Sequence, residues 1–215
     1  MHEEPNFNDP KFIELMEKIV AMFFEFGTRN LNMDDISRNL GISKKTLYQY
    51  FRSKEDLIMK LFEYDDAKWE AEFSKVHIEQ LNAIDILFYA SSMVAKQMNQ
   101  LNPKLKFELR KYYEPIFNQF FNRKRSQIFD HISKNMQKGI SEGLYRSDVN
   151  IELTASLYVK NLVDMHNQDY CFVENITFEQ IFEVMFETHI RAISTAEGIA
   201  YFEMRKAEVT GKNNI

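Results

Sequence analysis

The amino-acid sequence predicts an all-α protein. Three observations carry that prediction. Only six glycines and four prolines interrupt 215 residues, apolar residues recur at three- and four-residue steps, and no alternating polar and apolar pattern persists long enough for a strand. A hydrophobic share of 45% and an aromatic share of 14% suffice for a sizeable core, which excludes a disordered chain. The length accommodates one domain or two.

The elements follow in order. A first helix spans about Pro10 to Phe26, with Phe12, Met16, Ile19, Phe23 and Phe26 on one stripe and Gly27 at its end. A second runs from Met33 to Leu40, where Asn32 caps the free amides and Asp34 and Asp35 sit on the positive end of the dipole. Gly41 stops it in a left-handed turn, Ile42 plugs the angle, and Ser43 caps a third helix from Lys44 to about Phe51. Ser53 caps a long fourth helix through Leu57, Leu61 and Trp69 towards His77. Asn82 starts a fifth from Ala83 to Leu101, and Pro103 begins a short sixth. Pro115 opens a seventh through Phe117, Phe121, Ile128, Ile132, Met136 and Ile140 to the break at Gly143. An eighth extends from about Ile151 to Asn167. The ninth, capped by Thr177, carries an unbroken stripe of Phe178, Ile181, Phe182, Met185, Phe186, His189, Ile190 and Ile193. A short tenth reaches about Ala207 before a tail that frays.

The stretch Met33 to Lys54 carries the chemistry, because two short helices joined by a Gly-centred turn form a DNA-reading unit. The third helix, about 12 Å long at the usual rise, matches the width of the major groove. Leu47 and Phe51 face inward, which leaves Lys44, Lys45, Thr46, Tyr48, Gln49 and Tyr50 largely outward. From Arg38 to Lys60 there are six basic residues (Arg38, Lys44, Lys45, Arg52, Lys54, Lys60) against Glu55 and Asp56, so the patch is positive although the chain carries a net charge of -5. A lone run of lysines reads equally as solvated surface. The turn, and tyrosines interleaved on a helix too short to stand alone, favour a groove.

These residues resemble the TetR family of bacterial transcriptional regulators, through LGISKKTLYQYFRSKEDL from Leu40 to Leu57. Tyr48, Tyr50, Phe51, Lys54, Glu55 and Leu57 occupy the family's closing motif; the resemblance is strong over about residues 10 to 62 and architectural beyond. It implies a helix-turn-helix DNA-binding domain over residues 1–54 and a larger helical effector-binding and dimerisation domain over 55–215. The DNA-facing set is Asn32, Ser43, Lys44, Lys45, Thr46, Tyr48, Gln49, Tyr50 and Lys54. Within it Lys44, Tyr48, Tyr50 and Lys54 are expected on phosphates, and Lys45, Thr46 and Gln49 near base edges. Lys45 stands where many members have Gly and is read as a specificity residue.

Two further roles follow from the resemblance. A palindromic operator with half-sites roughly 34 to 36 Å apart calls for a homodimer. The eighth and ninth helices are expected to supply its interface through Leu157, Leu162, Met165, Phe182, Phe186, His189, Ile190 and Ile193; an ordinary core is the other reading of that stripe. A small, largely apolar effector is expected among the fourth to seventh helices, at Phe88, Met93, Phe107, Tyr112, Tyr113, Phe117 and Phe121, with Tyr89, Met98 and Phe120 nearby. Those aromatics too read as core. Lys104, Lys106, Arg110 and Lys111 either steer an anionic ligand or form solvated surface. A helical adaptor using the turn for protein contacts is the alternative function.

Catalysis has little support. No histidine has Glu three residues before it, and no HExxH, P-loop, Rossmann fingerprint or GxSxG elbow occurs, so no metal, cofactor or enzymatic activity is expected. The start, MHEEPNFNDP, lacks a basic stretch leading into an apolar run and no segment reaches membrane-spanning length, which places the protein in the cytoplasm. The lone Cys171 forms no internal disulfide and reads as a buried thiol or, less simply, a redox sensor.

Overall fold

The periodic segments fold as helices wherever their apolar faces find partners. The structure, a computed structural model, describes residues 6–7, 9–100, 103–165 and 176–212, with backbone alone for 97–100, 103, 164 and 210–212. Among these residues lie ten α-helices: α1 (Pro10–Phe26), α2 (Met33–Leu40), α3 (Lys44–Tyr50), α4 (Lys54–Ser74), α5 (Ala83–Gln100), α6 (Pro103–Tyr112), α7 (Glu114–Ser141), α8 (Ile151–Asp164), α9 (Phe178–Ile193) and α10 (Ala196–Lys212). A single 3-10 turn, Ile78–Gln80, went unread in the sequence. No described helix is long and apolar enough to cross a membrane. His166, Asn167 and Cys171 lie outside the described residues, as does the side chain of Met98.

The chain divides into two compact units. The first comprises Met1–Val76 and Gln100–Arg123, so the reading head packs with α4, α6 and the start of α7. Its core is built from Phe12, Met16, Ile19 and Phe23 of α1, Ile36 of α2, Leu47 of α3 and Phe51 just after it, Leu57 and Ile58 of α4, and Leu109 and Phe117. Phe26 leaves the expected stripe and is exposed, because α1 ends one residue later at Gly27, whose φ of 82° turns the chain away; Met22 is buried instead. Phe62 of α4 stacks on Phe120 at 4.5 Å and meets Phe117 and Phe121 edge-on. Contacts of this kind add about 0.5–1.5 kcal/mol each beyond area burial.

The second unit comprises His77–Asn99 and Lys124–Ile215. Ile84 and Leu87 of α5, Ile132 and Met136 of α7, Tyr158 of α8, Phe186, Ile190 and Ile193 of α9, and Phe202 of α10 share its core. The tenth helix exceeds the short element expected. Phe202 is buried against Phe88 with ring centroids 5.4 Å apart, and α10 is pinned at both faces by Arg205 and Tyr201 on Asp85 (2.6 Å each) and by Lys206 on Glu187. Close approach of α10 depends on Gly198, where an added Cβ would stand 2.0 Å from the Leu144 carbonyl oxygen.

Candidate nucleic-acid interface

Local capping builds the reading head. Asn32 accepts hydrogen bonds from the amides of Asp34 and Asp35, both at 2.9 Å, while the Asp35 carboxylate accepts the Asn32 amide at 3.1 Å. This reciprocal box satisfies amides that the first turn of α2 leaves open. Gly41 takes the left-handed conformation (φ 67°) and its amide returns to the last turn of α2, which sets the angle at which α3 departs. Ser43 then accepts the Thr46 amide at 3.0 Å and caps α3. Leu47 at 0% exposure and Phe51 at 0% anchor this seven-residue helix to α1 and α4.

Anchoring one face leaves the other in water. Lys44, Lys45, Tyr48 and Gln49 are exposed, while Thr46 and Tyr50 are half-buried. Lys44 pairs with Asp34 of α2, an exposed bridge worth at most about 1 kcal/mol and readily exchanged for a phosphate. Asn32 and Ser43 commit their side-chain oxygens to the caps. Tyr50 lies 6.0 Å from the Phe12 ring and 6.2 Å from Phe51, so much of its ring belongs to the core. Lys54 is half-buried 5.9 Å over the Tyr113 ring; burial holds its ammonium below the usual lysine range, with Glu55, Glu108 and Asp35 opposing. Lys60 does not belong to the positive surface: it is buried, donating to the Tyr50 carbonyl at 3.1 Å and to Asp56 at 3.2 Å. The exposed basic groups here are Arg38, Lys44, Lys45 and Arg52.

One position that the sequence left unread ties α6 to this head. Glu108 accepts the Thr28 amide at 2.6 Å and the Thr28 hydroxyl at 2.8 Å in the turn before α2, where Thr28 is 0% exposed. Burial pushes the Glu108 carboxyl up, but the hydroxyl and amide of Thr28, the Arg29 amide and Lys104 together hold it below its ordinary range. No local signal marks this pair, because the partners are 80 residues apart.

Residues 15–61 match the family described as bacterial regulatory proteins, tetR family. That segment, α1 to the start of α4, is a DNA-binding domain of the tetR type. Over 173 residues, covering 78% of this chain and 88% of the other, it is 22% identical to an uncharacterized HTH-type transcriptional regulator, YvaF, of Bacillus subtilis (strain 168). The fold is shared with a transcriptional regulator from Cytophaga hutchinsonii at a TM-score of 0.70 and 18% identity, covering 87% of this chain and 100% of that one. It is also shared with the fatty acid degradation regulator FadR from Bacillus halodurans at 0.65 and 16%, covering 87% and 97%. The N-terminal segment is accordingly a helix-turn-helix of a transcriptional-regulator family, on a fold shared with solved transcriptional regulators.

The regulator's other expected residues are dispersed. Phe88 and Met93 belong to the second unit, Phe107, Tyr112, Tyr113, Phe117 and Phe121 to the first. Phe117 and Phe121 pack on each other at 4.2 Å, Phe107 is 62% exposed, and Tyr112 lies under Arg29 at 5.2 Å. A groove of about 630 Å³ between α7 and α8 is lined by Arg125, Ser126, Phe129, Asp130, Ser156, Val159 and Lys160, none of which the sequence singled out. Of the α8 and α9 set, Met165, Phe182, Phe186, His189, Ile190 and Ile193 are buried inside their own unit and Leu162 is half-buried. Leu157 is exposed, together with Leu153 and Val184. His189 packs 4.3 Å from the Tyr158 ring, and burial pushes its imidazole down to about 4.

Proposed function

We propose that this regulator acts as a homodimeric repressor that occupies a palindromic operator and leaves it when a small, largely apolar molecule binds. One observation carries the DNA half of the reading: α3 presents Lys44, Lys45, Tyr48 and Gln49 outward from a helix whose opposite face is fixed by Leu47 in the core. Lys44 and Tyr48 are assigned to phosphates, with half-buried Lys54 and Tyr50 at the edge of the contact; Lys45, Thr46 and Gln49 are assigned to base edges. Asn32 and Ser43 act by holding the two helix starts and by presenting them to the backbone. Exposed Leu153 and Leu157 on α8 and Val184 on α9 supply apolar surface for a second copy. Phe88, Met93, Phe107, Tyr112, Tyr113, Phe117 and Phe121 remain the proposed effector neighbourhood. The proposed domain division is a reading head at 1–54 and an effector-binding and dimerisation body at 55–215, in the cytoplasm.

The release mechanism is a change in half-site spacing. An effector that prefers one tilt of α4 alters the separation of the two α3 helices, and a coupling of about 1–3 kcal/mol shifts operator affinity roughly five- to 150-fold. Titration of genomic duplex fragments at two salt concentrations tests the reading. Affinity should fall with salt and exceed that for random competitor. Lys54→Ala should weaken all sequences and flatten the salt slope by about one, whereas Lys45→Ala should change preference at one or two positions by about 1–3 kcal/mol. An adaptor that uses the turn for protein contacts would show no salt-dependent DNA affinity, and that result removes the proposal.

A further inference from the structure

One carboxylate of the reading head takes part in neither cap nor core. At the start of α2 the Asp35 carboxylate accepts the Asn32 amide at 3.1 Å and faces Arg38 at 3.5 Å, whereas Asp34 gives the cap only its backbone amide. The Asp34 side chain instead reaches across the turn, ten residues along the chain, to the ammonium of Lys44 on α3. Both partners keep much of their surface in water, the lysine side chain at 60% exposure and the aspartate at 47%. Lys44 opens α3 directly after the Ser43 cap, in a first turn that holds no acid. A cation there opposes the helix dipole, and the pair with Asp34 offsets that cost.

A carboxylate and a phosphate offer an ammonium the same partner, an anionic oxygen at hydrogen-bond distance. We infer that Asp34 is an intramolecular competitor of the DNA backbone: it occupies the Lys44 ammonium that a phosphate takes in the complex, and so holds down affinity for duplex of every sequence. The inference rests on the assignment of Lys44 to a phosphate and adds the residue that opposes it. Displacement has two consequences. The ion pair is lost when the phosphate arrives, and the freed carboxylate stays within a side chain's length of the phosphate that replaced it. The two side chains together carry no net charge, so removing the acid raises by one the positive charge that this corner of the head brings to the duplex. Because the pair is exposed, the competition is weak; it sets affinity and does not forbid binding.

Fluorescence anisotropy of a labelled mixed-sequence duplex, titrated at two salt concentrations, reads this effect without knowledge of the operator. Asp34→Asn keeps the size of the side chain and the backbone amide of the cap and removes the charge. It should bind about two- to fivefold more tightly at low salt, the range of one exposed ion pair, with a salt slope steeper by up to about one. Asp34→Ser, equally neutral and equally suited to a helix start, should match it, and Asp34→Glu should stay at the wild-type affinity. In a Lys44→Met background the change from Asp34 to Asn should gain nothing, and every variant should show the same helical circular dichroism. No gain for the neutral variants, the same gain for Asp34→Glu, or a gain that persists without Lys44 overturns the assignment; the last would mean direct repulsion of the duplex. Wild type that binds duplex in a salt-dependent way while the neutral variants gain nothing sinks only the competitor. Wild type that binds no duplex at low salt sinks the DNA reading and the competitor with it.

Discussion

Replacing Glu108 with Ala tests whether α6 holds the reading head through a single carboxylate. The substitution removes acceptors at 2.6 and 2.8 Å from the amide and hydroxyl of Thr28, a residue with no exposed surface. Leaving that amide buried and unpaired costs about 1–3 kcal/mol, and the lost hydroxyl bond adds about 1 kcal/mol, for a total of about 2–4 kcal/mol. With a urea slope of about 2 kcal/mol/M, the midpoint of unfolding should fall by about 1–2 M at unchanged slope. Glu108→Gln keeps one acceptor oxygen but not its charge, so it should lose roughly half as much. The pH dependence gives a second reading. Because the folded carboxyl titrates below its unfolded value, its contribution is present above the ordinary glutamate range and is lost as pH falls through that range towards the folded value. Glu108→Gln should flatten the acid limb of stability accordingly. A midpoint shift under about 0.3 M for Glu108→Ala would refute the tie and with it the structural role of α6 in the head.

Three further outcomes follow from the second unit and the head. Gly198→Ala should destabilise by more than about 1 kcal/mol in thermal unfolding, since its Cβ would press on the Leu144 backbone oxygen at 2.0 Å and α10 would have to move; unchanged stability would contradict that packing. His189 titrates lower folded than unfolded, so its contribution is present above about pH 6.5 and is lost as pH falls towards 4; His189→Phe should reduce the loss of stability across that window, measured by urea titration at several pH values. Leu157→Glu with Val184→Glu should yield monomer in sedimentation at micromolar concentration without loss of helicity, whereas a persistent dimer would move the interface elsewhere.

Local chemistry made the reading head legible. Asn32, Gly41 and Ser43 act within four residues of themselves, so the bounds of α2 and the start of α3 follow from neighbours along the chain, and the three-four spacing of Leu47 and Phe51 identifies the anchored face. The α9 stripe was equally visible as a pattern, but its partner was not. Phe186 and Ile190 meet Phe88 and Phe202 of other helices, and a stripe looks the same whether its own subunit or a second copy covers it. Lys60, Tyr50 and Lys54 illustrate the same limit at single residues: each reads as outward on its own helix, and each is withdrawn by a carbonyl, a ring or a packed helix that arrives from elsewhere.

The amino-acid order by itself determined the helical class, the helix ends within the reading head and the presence of a short, basic, groove-sized helix, because caps, turns and periodicity act over a few residues. Only the tertiary structure decided which cations remain in water, which apolar stripe is core and which carboxylate ties α6 to the head. Those outcomes depend on burial and on partners as far as 120 residues apart, and the desolvation that selects among them exists only once the chain has folded.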